Sequence, residues 1–476
     1  MCLSCCPPSM ATSAASDDMN ILLINADQLR HDCVGYRGLR GVKTPNLDAL
    51  ARESIVFEDA YTPLPVCSPA RQSLLCGRRP DSIGAQWNYD FMPTPELDPS
   101  ICWPGELKQS GWNTGYIGRF HVSPTRAPAD FGYQSTVRLS EYRAFAAGKY
   151  PDVKYEGGWL GCESPIPVED SETHWLAGRA GEMIRSFAAE GRPWHLWVDY
   201  EVPHLPCRPS APFSRMYNPD DIEPWDGWGD EFHLKPYIHR QQTLSWDTAK
   251  YEWKDFQPMV ARYYGWITQL DDAIGRILSA LRETGQYDDT AILFTSDHGD
   301  MCASHSMLDK HYVLYDDIIR IPLVAKIPGA KPRVSHEFVM NCLDIPASIR
   351  KWAGLAGEPM RHGRPLPETA EEEPGAADVL VTSNGQQFGL YTTRALRTRT
   401  HKYVWNLTDV DELYDLTLDP GEKHNRIADP AYAELLKAMR ERLYERLIET
   451  GDRFAGSQWM KRQLLEGRKH VPVERI

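Results

Sequence analysis

The apolar positions of this 476-residue chain fall into two recurring patterns: short unbroken runs, and longer stretches with helical spacing. Asn20-Ile21-Leu22-Leu23-Ile24-Asn25-Ala26 is an unbroken run of the kind that a strand buried on both faces requires. Ile55-Val56-Phe57, Thr114–Phe120, Trp194–Tyr200 and Ala291–Ser296 repeat it. Between them, Thr44-Pro45 supplies an N-cap and an N1 proline for a helix carrying Leu47, Leu50 and Ala51. Cys67 opens a short helix behind a loop with Pro63 and Pro65, and Trp103-Pro104 opens another that stops at Gly111. Tyr263, Ile267, Leu270, Ile274, Ile277 and Leu278 mark a long helix over about Met259–Leu281, ended by Gly285. This alternation predicts an α/β fold with a mostly parallel central sheet flanked by helices.

The pattern changes near residue 360. Glu368–Ala377 is acidic and Pro/Gly-bearing, as in a linker, and is followed by strand-like runs at Tyr391-Thr392-Thr393 and Lys402-Tyr403-Val404-Trp405. A final amphipathic helix covers about Tyr432–Thr450. The expected organisation is therefore a flexible tail over 1–19, a catalytic α/β domain over 20–365, and a smaller C-terminal α+β subdomain over 366–476 with a small antiparallel sheet and a helix. Segments 125–175 and 208–257 are poorly patterned and read as irregular insertions near the mouth of a site.

Composition narrows the chemistry. A net charge of −14 argues against nucleic acid or an anionic membrane as partner, and no run reaches the length of a membrane-spanning helix. The eleven cysteines show no paired C-x-x-C zinc spacing, and no apolar h-region follows Cys2, Cys5 and Cys6. Free thiols in a reducing compartment, and a cytoplasmic location, are the expectation. Fifteen tryptophans offer platforms for sugar rings or aryl groups, which favours an organic ester substrate.

Two of the buried runs end in groups suited to a metal. Asp27-Gln28 closes the first and Asp297-His298-Gly299 closes the run at 291–296. In open α/β sheets ligands bind at such strand ends, and an oxygen-rich donor set with one imidazole suits a hard divalent cation. Each Asp taken singly could equally start a turn. Cys67-Ser68-Pro69-Ala70-Arg71 places a thiol at a helix N-terminus, where free N–H groups favour negative charge, with Arg71 pointing back over the same turn.

The C-x-P-x-R stretch at Cys67, together with Thr44-Pro45-Asn46-Leu47-Asp48, Gly115–His121, Val202-Pro203-His204-Leu205-Pro206, Asp309-Lys310 and Glu412-Leu413-Tyr414-Asp415, resembles the sulfatase family of the alkaline-phosphatase-like superfamily. The resemblance runs from about residue 20 to 425. It implies a sulfuric ester hydrolase acting on an organic sulfate ester such as a sulfated saccharide. It also implies that Cys67 is converted to formylglycine by a formylglycine-generating enzyme. The hydrated aldehyde then attacks sulfur, expels the alcohol and eliminates sulfate as the aldehyde re-forms. The metal ligands implied are Asp27, Gln28, Asp297, His298 and the modified Cys67. They would hold one divalent cation, Ca²⁺ ahead of Mg²⁺ or Mn²⁺. Arg71 would bridge the nucleophile and its loop, Lys310 would contact the sulfate oxygens, His121 would take the nucleophile's proton, and His204 would protonate the leaving alcohol. Arg119 stands where the family usually has Lys, and keeps the charge in a planar, longer form. His305 and His311 lie near the site in sequence. Two other readings stand beside this one: a phosphonate monoester or phosphodiester hydrolase of the same superfamily, and a binding protein with unmodified Cys67.

Overall fold

A computed structural model describes residues 19–470, apart from 92–93, 311, 357–359 and 386–390. The expected N-terminal tail, save Met19, and His311 lie outside the described residues. The central sheet has eight strands: β1 (Asn20–Asp27), β2 (Ile55–Phe57), β4 (Asn113–Gly118), β5 (Ser135–Arg138), β6 (Trp194–Pro203), β7 (Thr290–Ser296), β8 (Leu323–Lys326) and β9 (Arg333–Ser335). β3 (Ala60–Tyr61) pairs separately with β10 (Val339–Met340). The strand order is β5-β4-β6-β1-β7-β8-β2-β9, and every pairing is parallel except those made by β8. The sheet is thus mixed through one reversed strand.

β1 is buried along its whole length, and its alternate residues serve two different cores. Leu22 and Ile24 face α1 (Pro45–Arg52), α5 (Glu172–Glu190) and α7 (Trp253–Glu283), meeting Leu47, Leu176, Ile267 and Ile274. Ile21 and Leu23 face α2 (Cys67–Cys76), α3 (Trp103–Gln109) and α9 (Asn341–Trp352), meeting Leu74, Trp103 and Ile345. Helices on both faces leave the strand ends as the open crevice.

Three local expectations change. Thr44 does not cap α1 with its side chain; its hydroxyl donates to Asp48 and accepts from the Gly35 N–H. Segment 125–175 is not irregular throughout, since it holds β5, α4 (Leu139–Lys149) and the start of α5. α4 leaves only Leu139 buried, so it has no broad apolar stripe for a reader of spacing to find. Segment 208–257 likewise contains α6 (Tyr237–Ser245) and the first five residues of α7, which begins before Met259 and carries Pro258 inside the helix at the loss of one backbone N–H donor.

Beyond α8 (Asp316–Ile319) and α9, an antiparallel sheet follows in the order β11-β12-β13-β14 (Asp378–Gly385, Tyr391–Thr398, His401–Asn406, Glu412–Asp415). One face packs Leu380, Leu396, Tyr403 and Trp405 on α10 (Ala433–Glu449) and α11 (Gln458–Leu465). The other face sets Val379, Val381, Ala395 and Val404 against Met301, Met307, Val313 and Tyr315. That second face buttresses the segment that carries Lys310. The acidic stretch 368–377 is tied down, with Glu373 bonded to Ser335 and the Gly375 and Ala376 N–H groups donating to Glu337. Among the described residues no helix is long and apolar enough to cross a membrane.

Candidate active site

Four neighbouring parallel strands, β4, β6, β1 and β7, end on the same edge of the sheet. Their carboxyl ends deliver Arg119 and His121, then Asp199, Glu201 and His204, then Asp27 and Gln28, then Asp297 and His298. Parallel register makes this convergence automatic: Ala26 pairs with Ser296, and Asn25 with Asp199. Two glycines permit the close approaches. A Cβ at Gly118 (φ +110°) would lie 1.9 Å from the Asp199 carbonyl oxygen, and one at Gly299 would lie 2.0 Å from that of Asp317.

Cys67 enters from the first turn of α2, over these strand ends. Donor atoms of Asp27, Cys67, Asp297 and His298 all lie within 4.8 Å of one another, and all four residues are buried. The sulfur is 3.2 Å from His298 Nε2 and 3.6 Å from Asp27 Oδ1. His298 Nδ1 meets the Gly299 carbonyl at 2.8 Å, so Nδ1 carries the proton and Nε2 is directed at the cluster. Gln28, at φ 69°, donates its amide to Asp300 at 2.6 Å, while its Oε1 accepts from Lys310 at 2.7 Å and keeps a second lone pair. Two carboxylates, an imidazole and an amide oxygen are a donor set that fits a hard divalent cation.

Arg71 does not reach towards the sulfur. Its Nε donates to Asp297 at 3.0 Å, Nη2 to Asp27 at 3.0 Å, and Nη1 to Asp199 and the Arg119 carbonyl. Each nitrogen of the guanidinium takes a different carboxylate, so Arg71 orients the cluster from behind. The sequence leads one to expect Arg71 to bridge the nucleophile and its loop, because spacing along a helix shows which turn a side chain covers and not which strand ends lie under it.

Electrostatics sort the remaining groups. Burial pushes the Cys67 thiol up, yet Lys310, His298 and hydrogen bonds from His121 and His204 hold it well below its ordinary value. Burial opposes ionisation of Asp27 too, but Arg119 and Arg71 keep it below the usual carboxylate range. Burial and the Asp27 charge push Asp297 up. Lys310 is buried and spends its three donors on Gln28, His204 Nε2 at 2.8 Å and Asp309 at 2.9 Å. His204 Nδ1 meets the Leu205 carbonyl at 2.6 Å, leaving Nε2 as the nitrogen turned to the pocket. Burial and Lys310 push this imidazole down, but Asp27 and the contact with Cys67 carry it above its ordinary value. Arg119 bonds Asp27 and lies 3.7 Å from Glu201, while His121 meets Arg119 through Nδ1 and Asp90 through Nε2 at 2.6 Å.

All ten sequence-derived site residues therefore gather at one crevice. His305 does not join them: it stacks on Tyr315 at 3.8 Å and bonds Asp230 at 2.7 Å, a buried imidazole pushed down to about 4 by burial. Missed by the sequence reading were Asp199, Glu201, Asp90 and Asp300, while Asp309 was singled out only as part of the Asp309-Lys310 motif. Asp199 had a readable signal, since a carboxylate inside the apolar run Trp194–Tyr200 must find a partner to be buried. It accepts from Asn25, Tyr116 and Arg71, and burial pushes it up to about 6.

Comparison with known proteins agrees with this arrangement. The chain matches the Sulfatase family over residues 19–355, and the C-terminal family of N-sulphoglucosamine sulphohydrolase over 303–449. It is 29% identical over 457 residues to an ulvan-active sulfatase of Formosa agariphila, covering 91% of this chain and 82% of the relative. It is 28% identical over 492 residues to an arylsulfatase of Clostridium perfringens, covering 95% and 99%. A phosphonate monoester hydrolase of Agrobacterium radiobacter has the same fold, with a TM-score of 0.77 at 24% identity over 91% of this chain and 96% of that one. With the family matched across most of its length and the metal-suited cluster at its strand ends, the chain belongs to the sulfatase family, as a sulfuric ester hydrolase of alkaline-phosphatase-like fold.

Proposed function

We propose that this chain cleaves the sulfate ester of a saccharide, using a formylglycine made from Cys67. The observation that carries the reading is the convergence of Asp27, Cys67, Asp297 and His298 within 4.8 Å at the buried end of four parallel strands. Sulfatases of sulfated saccharides stand among the relatives. Asp27, Gln28, Asp297 and His298 would hold a divalent cation, Ca²⁺ in preference, which when bound supplies Lewis-acid polarisation of the ester oxygens. Formylglycine at 67 would supply an oxygen nucleophile that a thiol cannot. Because Cys67 is fully buried, a formylglycine-generating enzyme would have to act before the chain folds.

The protein's own groups then divide the remaining work. Arg71 holds Asp27 and Asp297 in place. Lys310 releases one of its three internal bonds to meet a sulfate oxygen, and Arg119 adds fixed positive charge beside it. His121 has Nδ1 free to accept the nucleophile's proton once the long Arg119 contact loosens, its Nε2 proton being held by Asp90. Once Lys310 has turned from His204 Nε2 to the sulfate, that nitrogen can take up a proton and pass it to the departing alcohol.

Mass spectrometry of the peptide containing Cys67 tests the reading. Replacement of the thiol by an aldehyde is expected, and a peptide mass of unmodified Cys67 in active enzyme overturns it. A phosphonate monoester or phosphodiester hydrolase is the second reading, favoured by the neutral Gln28 and His298 donors. A panel of saccharide sulfates, phosphodiesters and phosphonate monoesters separates the two, with the highest kcat/KM expected on a saccharide sulfate.

A further inference from the structure

The crevice continues past His204 into a cavity of ≈ 350 Å³ whose walls include Glu172, Glu201, Arg208, Ser210, Trp266 and Gln269. Glu201 and His204 belong both to this cavity and to the catalytic edge, so whatever leaves towards His204 leaves into it. Its charges are mostly cancelled. Glu201 is paired with Arg143, whose Nη2 lies 2.9 and 3.2 Å from its two oxygens. Burial and the neighbouring Glu201 push the Glu172 carboxyl up to about 8, so it stays protonated at neutral pH. Arg208 is different. It is half-buried, its guanidinium carbon lies 4.3 Å from the centre of the Tyr155 ring, its Nε has no partner, and among the described residues no carboxylate bonds it. A second group is unsatisfied in the same wall: Ser210 is 1% exposed and its hydroxyl has no partner, although its N–H is held by Gln269 at 2.8 Å. An uncompensated arginine and an orphaned buried hydroxyl in one cavity are groups awaiting a ligand.

We propose that this cavity is a leaving-group subsite in which Arg208 and Ser210 bind an oxyanion, a carboxylate or a second sulfate, carried on the hydroxylated ring that bears the scissile ester. Contact with the Tyr155 ring restricts the guanidinium, so less freedom is lost when it forks onto the anion. The protonated Glu172 and the Trp266 indole suit ring hydroxyls and a ring face. The proposal rests on the sulfatase reading for the position of the scissile bond.

Calorimetric titration of the wild-type chain tests it with three probes that contain no sulfate ester: methyl glucuronide, methyl glucoside, and methyl 6-deoxy-6-sulfoglucoside. At least one anionic probe is expected to bind about tenfold more tightly than the neutral glucoside, as a charge-assisted hydrogen bond allows. The tighter of the two names the anion. Arg208→Gln should abolish the preference and Arg208→Lys should keep part of it. An equal affinity for all three probes, or a preference that survives Arg208→Gln, overturns the proposal. Hydrolysis of 4-nitrophenyl sulfate by the wild type, run alongside, separates the two failures. Turnover without an anion preference removes the subsite alone. No turnover of any sulfate ester removes the leaving-group role together with the sulfatase reading.

Discussion

Replacing Arg71 by Met tests whether the cluster is held together from behind. The guanidinium and the three carboxylates it binds, Asp27, Asp199 and Asp297, are all fully buried. Breaking one buried pair costs about 3–5 kcal/mol, because the abandoned carboxylate keeps its desolvation penalty. That is a large part of the ~5–15 kcal/mol by which a protein is typically stable. Here three carboxylates lose one cation, and they can recover part of the cost by taking up a proton. Asp199 already sits at about 6 in the native state, and without Arg71 its folded-state proton affinity rises further. A carboxyl raised in the folded state stabilises most at low pH and loses that contribution as pH rises through its folded value. The variant should therefore lose roughly 1.4 kcal/mol more per pH unit between the unfolded and folded values of one such group. The assay is urea unfolding of chelator-treated protein, followed by tryptophan fluorescence at pH 5.5 and 7.5. The expected deficit is about 4 kcal/mol at pH 7.5, shrinking by about 2–3 kcal/mol at pH 5.5. Arg71→Lys should recover part of it, since one ammonium cannot span three separate carboxylates. A loss below about 1 kcal/mol at pH 7.5, or an equal loss at both pH values, refutes the reasoning.

Other expectations concern chemistry. Asp297→Asn should lower bound metal, read by elemental analysis after dialysis, and unchanged content would remove Asp297 from the ligand set. His204→Ala should slow alkyl and sugar sulfates by ~10²–10⁴-fold while sparing 4-nitrophenyl sulfate, whose leaving group hardly needs a proton; equal losses on both would exclude His204 as the acid. Arg119→Ala should cost ~10²–10³-fold in kcat and Arg119→Lys much less, since the charge beside Asp27 and the sulfate is retained; a mild effect of the alanine would place residue 119 outside the anion site.

Much of this protein follows from local pattern. A seven-residue apolar run such as Asn20–Ala26 is short for a helix and fits a strand covered on both faces, so the α/β layering and the positions of Asp27 and Asp297 at strand ends were readable in the chain. The start of α2 at Cys67 was readable for the same kind of reason, since Pro63, Pro65 and Pro69 punctuate the backbone there. Tertiary structure decided the rest. Strand order sets β6 between β4 and β1, and this alone put Asp199 beneath Arg71 and turned an expected contact to the nucleophile into a three-carboxylate clamp. The pairing of Lys310 with Gln28 and His204 joins residues 282 and 106 positions apart, which no spacing rule connects. α4 escaped notice because only Leu139 of it is buried, and periodicity shows a helix only when a face is buried. Arg208 is the plainest case. In the sequence it is one basic residue in an unpatterned segment, and its lack of a carboxylate partner among the described residues is a property of the cavity around it.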